Sequence, residues 1–542
     1  MSNQTVQVLD VRNIPESMQI MCVTLQGLIN RKKPRLYLLW SRWSPGAHAN
    51  YRPESELRWL QIYKREYGLN FKLISPSDSI SSVHTFSEFD RAQACALDVI
   101  SEFASEVDGY IIYDPQFRDT INVATTMAGI KNAIVTSPAY IETLNDFGLR
   151  EIEDLRGRWE NKIDAYRWAF NNLWQECNHK LLACMEVASP HLPFNCHHIR
   201  DYLVAHKVFT YDLSNNPRDK EEVALIDEIQ SAAEPLSIVL GWRTSRDSPT
   251  YYVARNSMHG HLTLCCLASP NLSFHSHFKA KTEVFKQKHK HVDPSQVTVE
   301  PKVYITFLLS DGDAMHMMLN FQNDRWNDPN RGKVPFAWGI EPLTLDFAPA
   351  VLEHYYKTLT ENDYLVAALG LGYVYVGKMP KEIVGKYYEL LKSYMDKLDL
   401  KVLWAIDRDP FHSPFLNTPG HLKEVMTEHE SKLREFILGV LAGFAQPPEI
   451  PILWAGDIPI VTCKLSSRSI YQTYRDIQKL AETFKERPLF LFVIVSNNDS
   501  GVSEIKAVTE LLDPAEYKVV LPDEFLIAVA LWRKASKNLN SA

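Results

Sequence analysis

Short, nearly uninterrupted apolar segments recur through the second half of the chain, and most of the intervals between them can hold a helix. These segments are VYITFLLS, PFAWGI, YLVAALG, KVLWAI, FILGVLAGF, PILWAG, PLFLFVIVS and YKVVLP. Strands that are apolar on both faces are typical of parallel sheets covered by helices. Eight of them over residues 302–542 predict a (β/α)8-like barrel, although the interval before PILWAG is too short for a helix.

The first half of the chain also alternates strand-like and helix-like stretches. Segments such as RLYLLW and GYIIYD are separated by stretches with helical spacing of apolar residues. This alternation predicts α/β structure, an N-terminal open region with parallel sheets over residues 1–278 that forms one or two subdomains. A basic stretch at residues 279–301 is predicted to be a solvated connector. No glycine-rich phosphate loop follows a strand candidate, so a dinucleotide site is not predicted.

Charge and composition narrow the classes of partner. The chain has 542 residues and a formal net charge of −8, which argues against nucleic acid or an anionic membrane as the main partner. A small-molecule or saccharide-like substrate is the expected partner, and the oligomeric state is left open. The N-terminal sequence has no signal-peptide pattern and no apolar run is long enough to span a membrane, so a cytoplasmic protein is expected.

Polar residues, many of them acidic, follow the apolar segments of the second half. In a barrel these positions meet at the mouth, where the loops after the strands converge. The catalytic candidates are Asp311, Asp313, Glu341 and Asp407. The candidates for substrate binding are Gly370, Gly372, Tyr373, Tyr375, Arg408, Asp409, His316 and Asn497. Asp457, which follows PILWAG, is expected at the same level.

Carboxyl groups that face each other across a barrel mouth suit general acid and base catalysis, of which glycosidic bond cleavage is the best-known example. Tyrosine and tryptophan rings near these positions are expected to stack on sugar faces. These rings are Tyr373, Tyr375, Trp326, Trp338, Trp404 and Trp454. The alternative is that each acidic residue only forms a turn or caps a helix, because aspartate is common in both positions.

The SDGD sequence, Ser310 to Asp313, has a second interpretation. Two aspartates flank a glycine directly after a strand, and His316 lies three residues further on, in the first turn of the predicted helix. Asp311, Asp313 and His316 could therefore be ligands of a divalent metal. The ligand set is incomplete, so a divalent metal stays an alternative and no cofactor is predicted.

The segment GLGYVYV, residues 370–376, resembles the signature of the family called GxGYxYP, described as putative glycoside hydrolases. The resemblance extends over most of the chain through ordered blocks such as TLQGLINRKKPRLYLLW, SDGD and RGKVPFAWGIEP. It implies a hydrolase acting on a glycosidic or similar small polar substrate through paired carboxylates at the barrel mouth.

Two positions differ from the family pattern. Val376 stands where the signature usually has proline, and Ala314 stands where asparagine usually follows SDGD. Together with the lack of the leader that most relatives carry, these differences leave two further alternatives. One is a metal-assisted deacylase, lyase or cyclase in a biosynthetic pathway, and the other is a non-catalytic ligand-binding protein on the same fold.

Overall fold

A computed structural model describes residues 5–40, 53–74, 88–187, 197–243, 248–322, 324–411, 419–444, 452–497 and 499–541. The chain divides into two compact units. Unit 1 comprises residues 1–252, 265–279 and 346–349, and unit 2 comprises residues 253–264, 280–345 and 350–542. Among the helices of the described residues, none is both long and apolar enough to cross a bilayer.

Unit 1 contains three small parallel sheets with helices between their strands. Its strands are β1 Thr5–Asp10, β2 Leu36–Leu39, β3 Asn70–Leu73, β4 Gly109–Ile112, β5 Ala133–Thr136, β6 Glu151–Asp154, β7 Leu181–Met185, β8 Phe209–Tyr211 and β9 Ile238–Trp242. Its helices are α1 Glu16–Asn30, α2 Pro53–Tyr67, α3 Glu88–Phe103, α4 Thr120–Lys131, α5 Ile141–Asp146, α6 Lys162–Leu173, α7 Arg200–Ala205 and α8 Lys220–Ala232. The division between the units falls within α9 Pro249–Met258.

The central strand of each sheet pairs with a parallel strand on both sides. The orders are β2-β1-β3, β5-β4-β6 and β9-β7-β8. Helix α1 is buried along almost its whole length, from Met18 to Asn30, because it lies between other elements of the unit and has no solvent-facing side. Parallel sheets in the first half are therefore confirmed.

Unit 2 is built around one larger sheet. After β10 Leu262–Leu264 its strands are β11 Val303–Leu309, β12 Phe336–Ile340, β13 Asp363–Ala368, β14 Val402–Ala405, β15 Gly439–Ala442, β16 Leu453–Ala455, β17 Ile458–Ser467, β18 Leu489–Val495 and β19 Tyr517–Val519. The remaining helices are α10 Leu272–His275 (in unit 1), α11 Met315–Leu319, α12 Thr344–Phe347, α13 Pro349–Thr358, α14 Lys381–Lys397, α15 Pro419–Glu428, α16 Glu430–Leu433, α17 Ile470–Thr483, α18 Val502–Leu511 and α19 Pro522–Ser541.

Seven parallel strands close the predicted barrel in the order β11-β12-β13-β14-β15-β17-β18 and back to β11. An eighth parallel strand, β19, pairs with the first three residues of β11. Strand β12 pairs with Leu308 and Leu309 at the carboxyl end of β11. The barrel prediction is confirmed, with seven strands in the closed ring.

One predicted barrel strand is wrong. The segment PILWAG forms β16, which runs antiparallel to β17, and the ring strand at this place is β17 itself. Asp457 lies in the turn before β17 and is 65% exposed. It therefore lies at the amino end of a ring strand, the opposite end from the predicted mouth.

The lysine side chains of the basic connector are exposed, and other residues of the segment contact the barrel. Residues 280–301 form no strand or long helix, yet Phe285 is buried and Gln287 donates its side-chain amide to the carbonyl oxygens of Leu365 and Asp399. The carboxylate of Asp523, at the start of α19, accepts hydrogen bonds from His289 and from the backbone nitrogen of Val292, both at 3.0 Å. The segment is thus fastened to the elements of the barrel.

Candidate active site

Four neighbouring strands of the ring bring the predicted catalytic residues to one edge. Asp311 and Asp313 follow β11, Glu341 follows β12 and Asp407 follows β14, while the GLGYVYV segment follows β13 between them. Parallel strands place all these positions at the carboxyl edge of the sheet. The arrangement is the one that the sequence predicts for the mouth.

The SDGD turn is pressed against the neighbouring strand β12. Asp311 has a left-handed backbone (φ 64°), and its carboxylate accepts a hydrogen bond of 2.9 Å from the Ser310 hydroxyl. A Cβ on Gly312 would lie 2.1 Å from the carbonyl oxygen of Gly339, so only glycine fits there. The helix cap is Ala314, which makes no side-chain bond. Asp313 is therefore not the capping residue that the simpler interpretation requires.

Asp313 and Glu341 are both buried, and the charge of Asp313 acts on the proton affinity of Glu341. Burial, together with the negative charge of Asp311, raises the pKa of Asp313 to about 7. Burial raises the pKa of Glu341 to about 8, with a further contribution from Asp313. Near neutral pH this pair therefore holds a proton, with the greater proton affinity on Glu341.

Backbone amides hold Glu341 by one of its two oxygens. Oε1 accepts hydrogen bonds from the nitrogens of Leu343 at 3.0 Å and Gly372 at 3.1 Å. Oε2 is buried and has no hydrogen-bond partner among the described residues. Because the amides bond to Oε1, the acid proton is left to Oε2.

The two glycines of the signature lie in a turn that other residues would not fit. Gly370 (φ 95°) and Gly372 (φ 67°) are both left-handed, where a side chain is strained. A Cβ on Gly370 would lie 2.2 Å from the hydroxyl oxygen of Tyr387, and one on Gly372 would lie 3.0 Å from the Cβ of Leu262. The turn is therefore shaped both by its backbone and by what packs behind it.

The end of the same segment holds a second acid. The nitrogen of Gly377 donates to Oδ2 of Asp407 at 3.0 Å, and a Cβ on Gly377 would lie 2.6 Å from that oxygen. Burial raises the pKa of Asp407 to about 7, although this amide and the charge of Lys378 partly offset the increase. One stretch of chain thus binds both Glu341 and Asp407 through backbone nitrogens of glycine residues.

Two charged candidates lie beside Asp407. Asp409 is buried and makes an ion pair of 2.6 Å with Lys378, and Arg408 is half-buried. Both Arg408 and Asp407 act electrostatically on the phenol of Tyr375, so these groups are close to one another. Asp409 is therefore paired with Lys378, the cation whose charge also lowers the pKa of Asp407.

The aromatic residues contribute packing more than open faces. Tyr375 and the rings of Trp326, Trp338 and Trp404 are all buried, and Trp454 lies in the antiparallel strand β16. Tyr373 is 9% exposed, and its ring lies 5.7 Å from that of Tyr375 at nearly a right angle. The prediction that the tryptophans stack on sugars is wrong for the three core rings, which fill the barrel wall.

The last two candidates lie on either side of the SDGD turn. His316 lies in α11, one residue after its start, and is half-buried. Asn497 follows β18, and its backbone nitrogen donates to the Ser310 hydroxyl at 3.1 Å. Its side-chain nitrogen contacts the sulfur of Met317, and its Oδ1 has no partner among the described residues. Asn497 therefore completes the rim from the β18 side.

The metal interpretation receives no support from the geometry. Within the described ranges, no group of three or more His, Cys, Asp or Glu side chains has an arrangement that could hold a metal ion. Asp311, Asp313 and His316 therefore do not form such a group. Asp311 accepts a hydrogen bond from its neighbour Ser310, and the negative charge of Asp313 acts on Glu341.

Several residues of the site were not predicted. Tyr387 on α14 lies behind the signature turn, Gly377 holds Asp407, and the Ser257 hydroxyl accepts a hydrogen bond of 2.9 Å from the nitrogen of Tyr375. Tyr387 has the helical spacing of a core residue, so its sequence position carries no separate signal. Only Gly377, which extends the glycine pattern of the signature, could have been found.

A cavity of about 570 Å³ lies elsewhere in unit 2, at the amino end of β18. It is lined by residues of β16, α17, β18 and α19, including Trp454, Phe484 and Trp532. Trp454, one of the rings predicted to stack on sugars, thus lies at this cavity, whereas none of the predicted catalytic or substrate-binding residues lines it. The polar chemistry at the carboxyl edge and this mainly apolar cavity are therefore separate features.

Comparisons with known proteins agree with the fold. Profiles of the GxGYxYP family match residues 5–85, 107–177 and 179–277 as its first, second and third domains. Residues 301–530 match the GxGYxYP putative glycoside hydrolase C-terminal domain. A crystal structure of a putative hydrolase from Bacteroides thetaiotaomicron is similar, with 20% identity over 97% of this chain and 95% of that chain and a TM-score of 0.76. Among curated proteins, none is similar enough to match.

Proposed function

Because this chain belongs to the GxGYxYP family, we propose that it hydrolyses a glycosidic bond with the carboxyl groups at the carboxyl edge of its barrel. The observation that carries the proposal is the pair of Asp313 and Glu341. Glu341 retains its proton near neutral pH, and one of its oxygens has no partner among the described residues. A buried, protonated carboxyl beside a second, more acidic one is the arrangement that glycosidases use.

In this mechanism Glu341 is the general acid. Its proton passes from Oε2 to the glycosidic oxygen while the bond between that oxygen and the anomeric carbon breaks. The leaving sugar departs as an alcohol, and Glu341 is left as a carboxylate that still accepts the amide of Gly372. The two amides on Oε1 stabilise the negative charge that forms.

Asp313 supplies the second carboxylate, or Asp311 does so in its place. This group either attacks the anomeric carbon or takes a proton from the water that attacks it. The first route retains the anomeric configuration, and the second inverts it. The anomer released first, followed by NMR, decides between them.

The other candidates are assigned to substrate binding. Tyr373, Arg408 and Asn497 present hydroxyl, guanidinium and amide groups, which suit the hydroxyls of a sugar. Asp407 is buried with a raised pKa, so near neutral pH a substantial fraction can donate a hydrogen bond. We assign His316 and Asp409 to the outer part of the same site.

The test measures hydrolysis of a panel of aryl glycosides and oligosaccharides with α and β linkages. Glu341→Gln and Asp313→Asn should each lower kcat by ~100-fold or more, because each removes a proton donor or acceptor while keeping the size of the side chain. The dependence of kcat/KM on pH should be a narrow bell with limbs near pH 7 and pH 8, the pKa values of Asp313 and Glu341.

The matched control is Glu353→Gln in α13. Glu353 is equally buried and accepts hydrogen bonds from the backbone nitrogens of Lys281 and Thr282, at 3.0 and 2.9 Å, but it lies outside the site. Its variant should change the melting temperature without changing kcat. Wild-type turnover by the Glu341 and Asp313 variants, or no hydrolysis of any glycoside by the native chain, would refute the proposal.

A further inference from the structure

A tyrosine of helix α14, Tyr387, packs behind the turn formed by Leu369 to Gly372. Tyr387 is 1% exposed, and its hydroxyl oxygen accepts a hydrogen bond of 3.2 Å from the backbone nitrogen of Leu371. The same oxygen would lie 2.2 Å from a Cβ on Gly370, which is too close for both atoms to be present. Gly370 therefore leaves the space through which the phenol reaches the backbone.

Two consecutive amides of this turn have different partners. The nitrogen of Leu371 donates to Tyr387, and the next nitrogen, of Gly372, donates to Oε1 of Glu341. The backbone around them is left-handed at Leu369, Gly370 and Gly372. A turn with three such residues is strained for the non-glycine member and needs outside contacts to keep its shape. Tyr387 supplies one of these contacts.

From this geometry we propose that Tyr387 is a positioning residue for Glu341. Its hydroxyl fixes Leu371, so that the adjacent nitrogen of Gly372 stays on Oε1 and leaves Oε2 to carry the acid proton. This inference rests on the proposed function for its catalytic meaning, since Glu341 is the general acid there. The contact itself does not depend on which bond is cleaved.

The removal of the Tyr387 hydroxyl has a defined consequence. The buried nitrogen of Leu371 would lose its hydrogen-bond acceptor. Because an unpaired buried N–H is costly, the turn would shift until this nitrogen reached another acceptor. Gly372 would then hold Oε1 less well. Since the amides of Gly372 and Leu343 lower the pKa of Glu341, loss of one of them raises it further. The remaining charged neighbour, Asp313, acts in the same direction.

The experiment compares Tyr387→Phe with Tyr388→Phe in the full chain. Tyr388 is the matched control because it is the next residue of α14, is equally buried and has a hydroxyl without a partner among the described residues. Infrared spectroscopy follows the protonated carboxyl of Glu341 against pH, and Glu341→Gln identifies its band. This readout needs no substrate.

In the wild type and in Tyr388→Phe the band should titrate near pH 8, and in Tyr387→Phe it should titrate at higher pH. On a glycoside that the wild type cleaves, kcat of Tyr387→Phe should fall ~10- to 100-fold with KM nearly unchanged, because a displaced acid mainly affects the chemical step. The basic limb of its pH profile should move with the band.

Separate results identify which idea fails. A shifted band without hydrolysis of any glycoside supports the positioning role and refutes the proposed function. An unshifted band and pH profile in Tyr387→Phe overturn the positioning role, even where Glu341→Gln abolishes hydrolysis. If Tyr387→Phe does not fold, Gly370→Ala tests the same contact, because the added Cβ displaces the hydroxyl. It should shift the band in the same direction, and an unchanged band would again overturn the role.

Discussion

Two acidic side chains, Asp212 in unit 1 and Glu341 in unit 2, are buried in different surroundings. In unit 1, Asp212 contacts the buried guanidinium of Arg243 at 2.5 Å, and Glu16 accepts hydrogen bonds from Arg118 and His197. In unit 2, the hydrogen bonds to Glu341 among the described residues come from backbone amides alone. A carboxyl group that is buried beside a cation stays ionised. A carboxyl group that is buried against neutral amides can keep its proton near neutral pH and can exchange it.

The pKa values express this difference. The side chain of Glu16 is 40% exposed. Its partial burial alone would raise the pKa, but the hydrogen bonds from His197 and Arg118 lower it to about 2. Burial lowers the pKa of His197 to about 4, so this ring is neutral near pH 7 and Arg118 supplies the positive charge. Glu341, with a pKa of about 8, is the opposite case. A raised pKa is not confined to unit 2, because burial also raises the pKa of Asp201 in unit 1 to about 7. The assignment of function to Glu341 therefore also depends on its place at the carboxyl edge of the barrel.

The largest effect is expected where an ion pair is broken. Arg243→Met should lower the free energy of unfolding by ~3–5 kcal/mol, because it leaves the carboxylate of Asp212 buried without its cation. The double variant Arg243→Met with Asp212→Leu should recover much of this loss. Urea denaturation measures both. A loss below ~1 kcal/mol in the single variant would show that the pair is not what holds this part of unit 1.

A smaller effect, of opposite sign in the two units, is expected from pH. The folded pKa of Glu341 is raised, so the stability that it contributes is fully present below about 4.5 and is lost as the pH rises toward about 8. Glu341→Gln should therefore gain stability relative to the wild type between pH 5 and pH 8, by at least ~1 kcal/mol.

Glu16 gives the reverse dependence. Its folded pKa is lowered, so its contribution is present above about 4.5 and is lost as the pH falls toward about 2. Glu16→Gln should be less stable than the wild type at pH 7, and this difference should shrink in acid. Denaturant titrations across these pH values measure both variants. If the two variants changed with pH in the same direction, the contrast between Glu341 and Glu16 would be wrong.

The smallest effect concerns the residue at which the chain departs from the family signature. Val376 is the first residue of a 3-10 turn, and Tyr375 before it has an extended backbone (φ −101°, ψ 97°). Proline is accepted at such a position and favours an extended residue before it. Val376→Pro should therefore raise stability by ~0.4–1 kcal/mol and leave kcat unchanged. A large loss in either quantity would show that valine has a role of its own in holding Asp407.

The barrel could be predicted from sequence because burial on both faces makes its strands apolar throughout. The failure at PILWAG has a physical reason. The ring strand Ile458–Ser467 has a proline as its second residue and carries polar residues near its end, so it is less apolar than the short antiparallel β16 before it. Apolar content alone could not distinguish a ring strand from its hairpin partner.

The candidate site was predicted only in part. Glu341 and Asp407 follow strands, so their place at the carboxyl edge could be inferred, but their partners could not. Both accept hydrogen bonds from backbone N–H groups, which every residue except proline possesses and which therefore cannot be recognised in the sequence. Tyr387 comes from a helix whose pattern indicates only core packing. The acidic residues of the site could thus be predicted from the sequence, whereas the contacts that set their proton affinity could not.

The contact between Gly370 and Tyr387 also limits how this family can diverge. Since a Cβ at residue 370 would lie 2.2 Å from the phenol oxygen, a side chain cannot be added at 370 while the hydroxyl of Tyr387 keeps its place. A lineage that acquires a side chain at 370 must first lose or move the hydroxyl at 387, and it then gives up the support of the turn. Among homologues the two positions should covary, and glycine at 370 should occur together with tyrosine at 387.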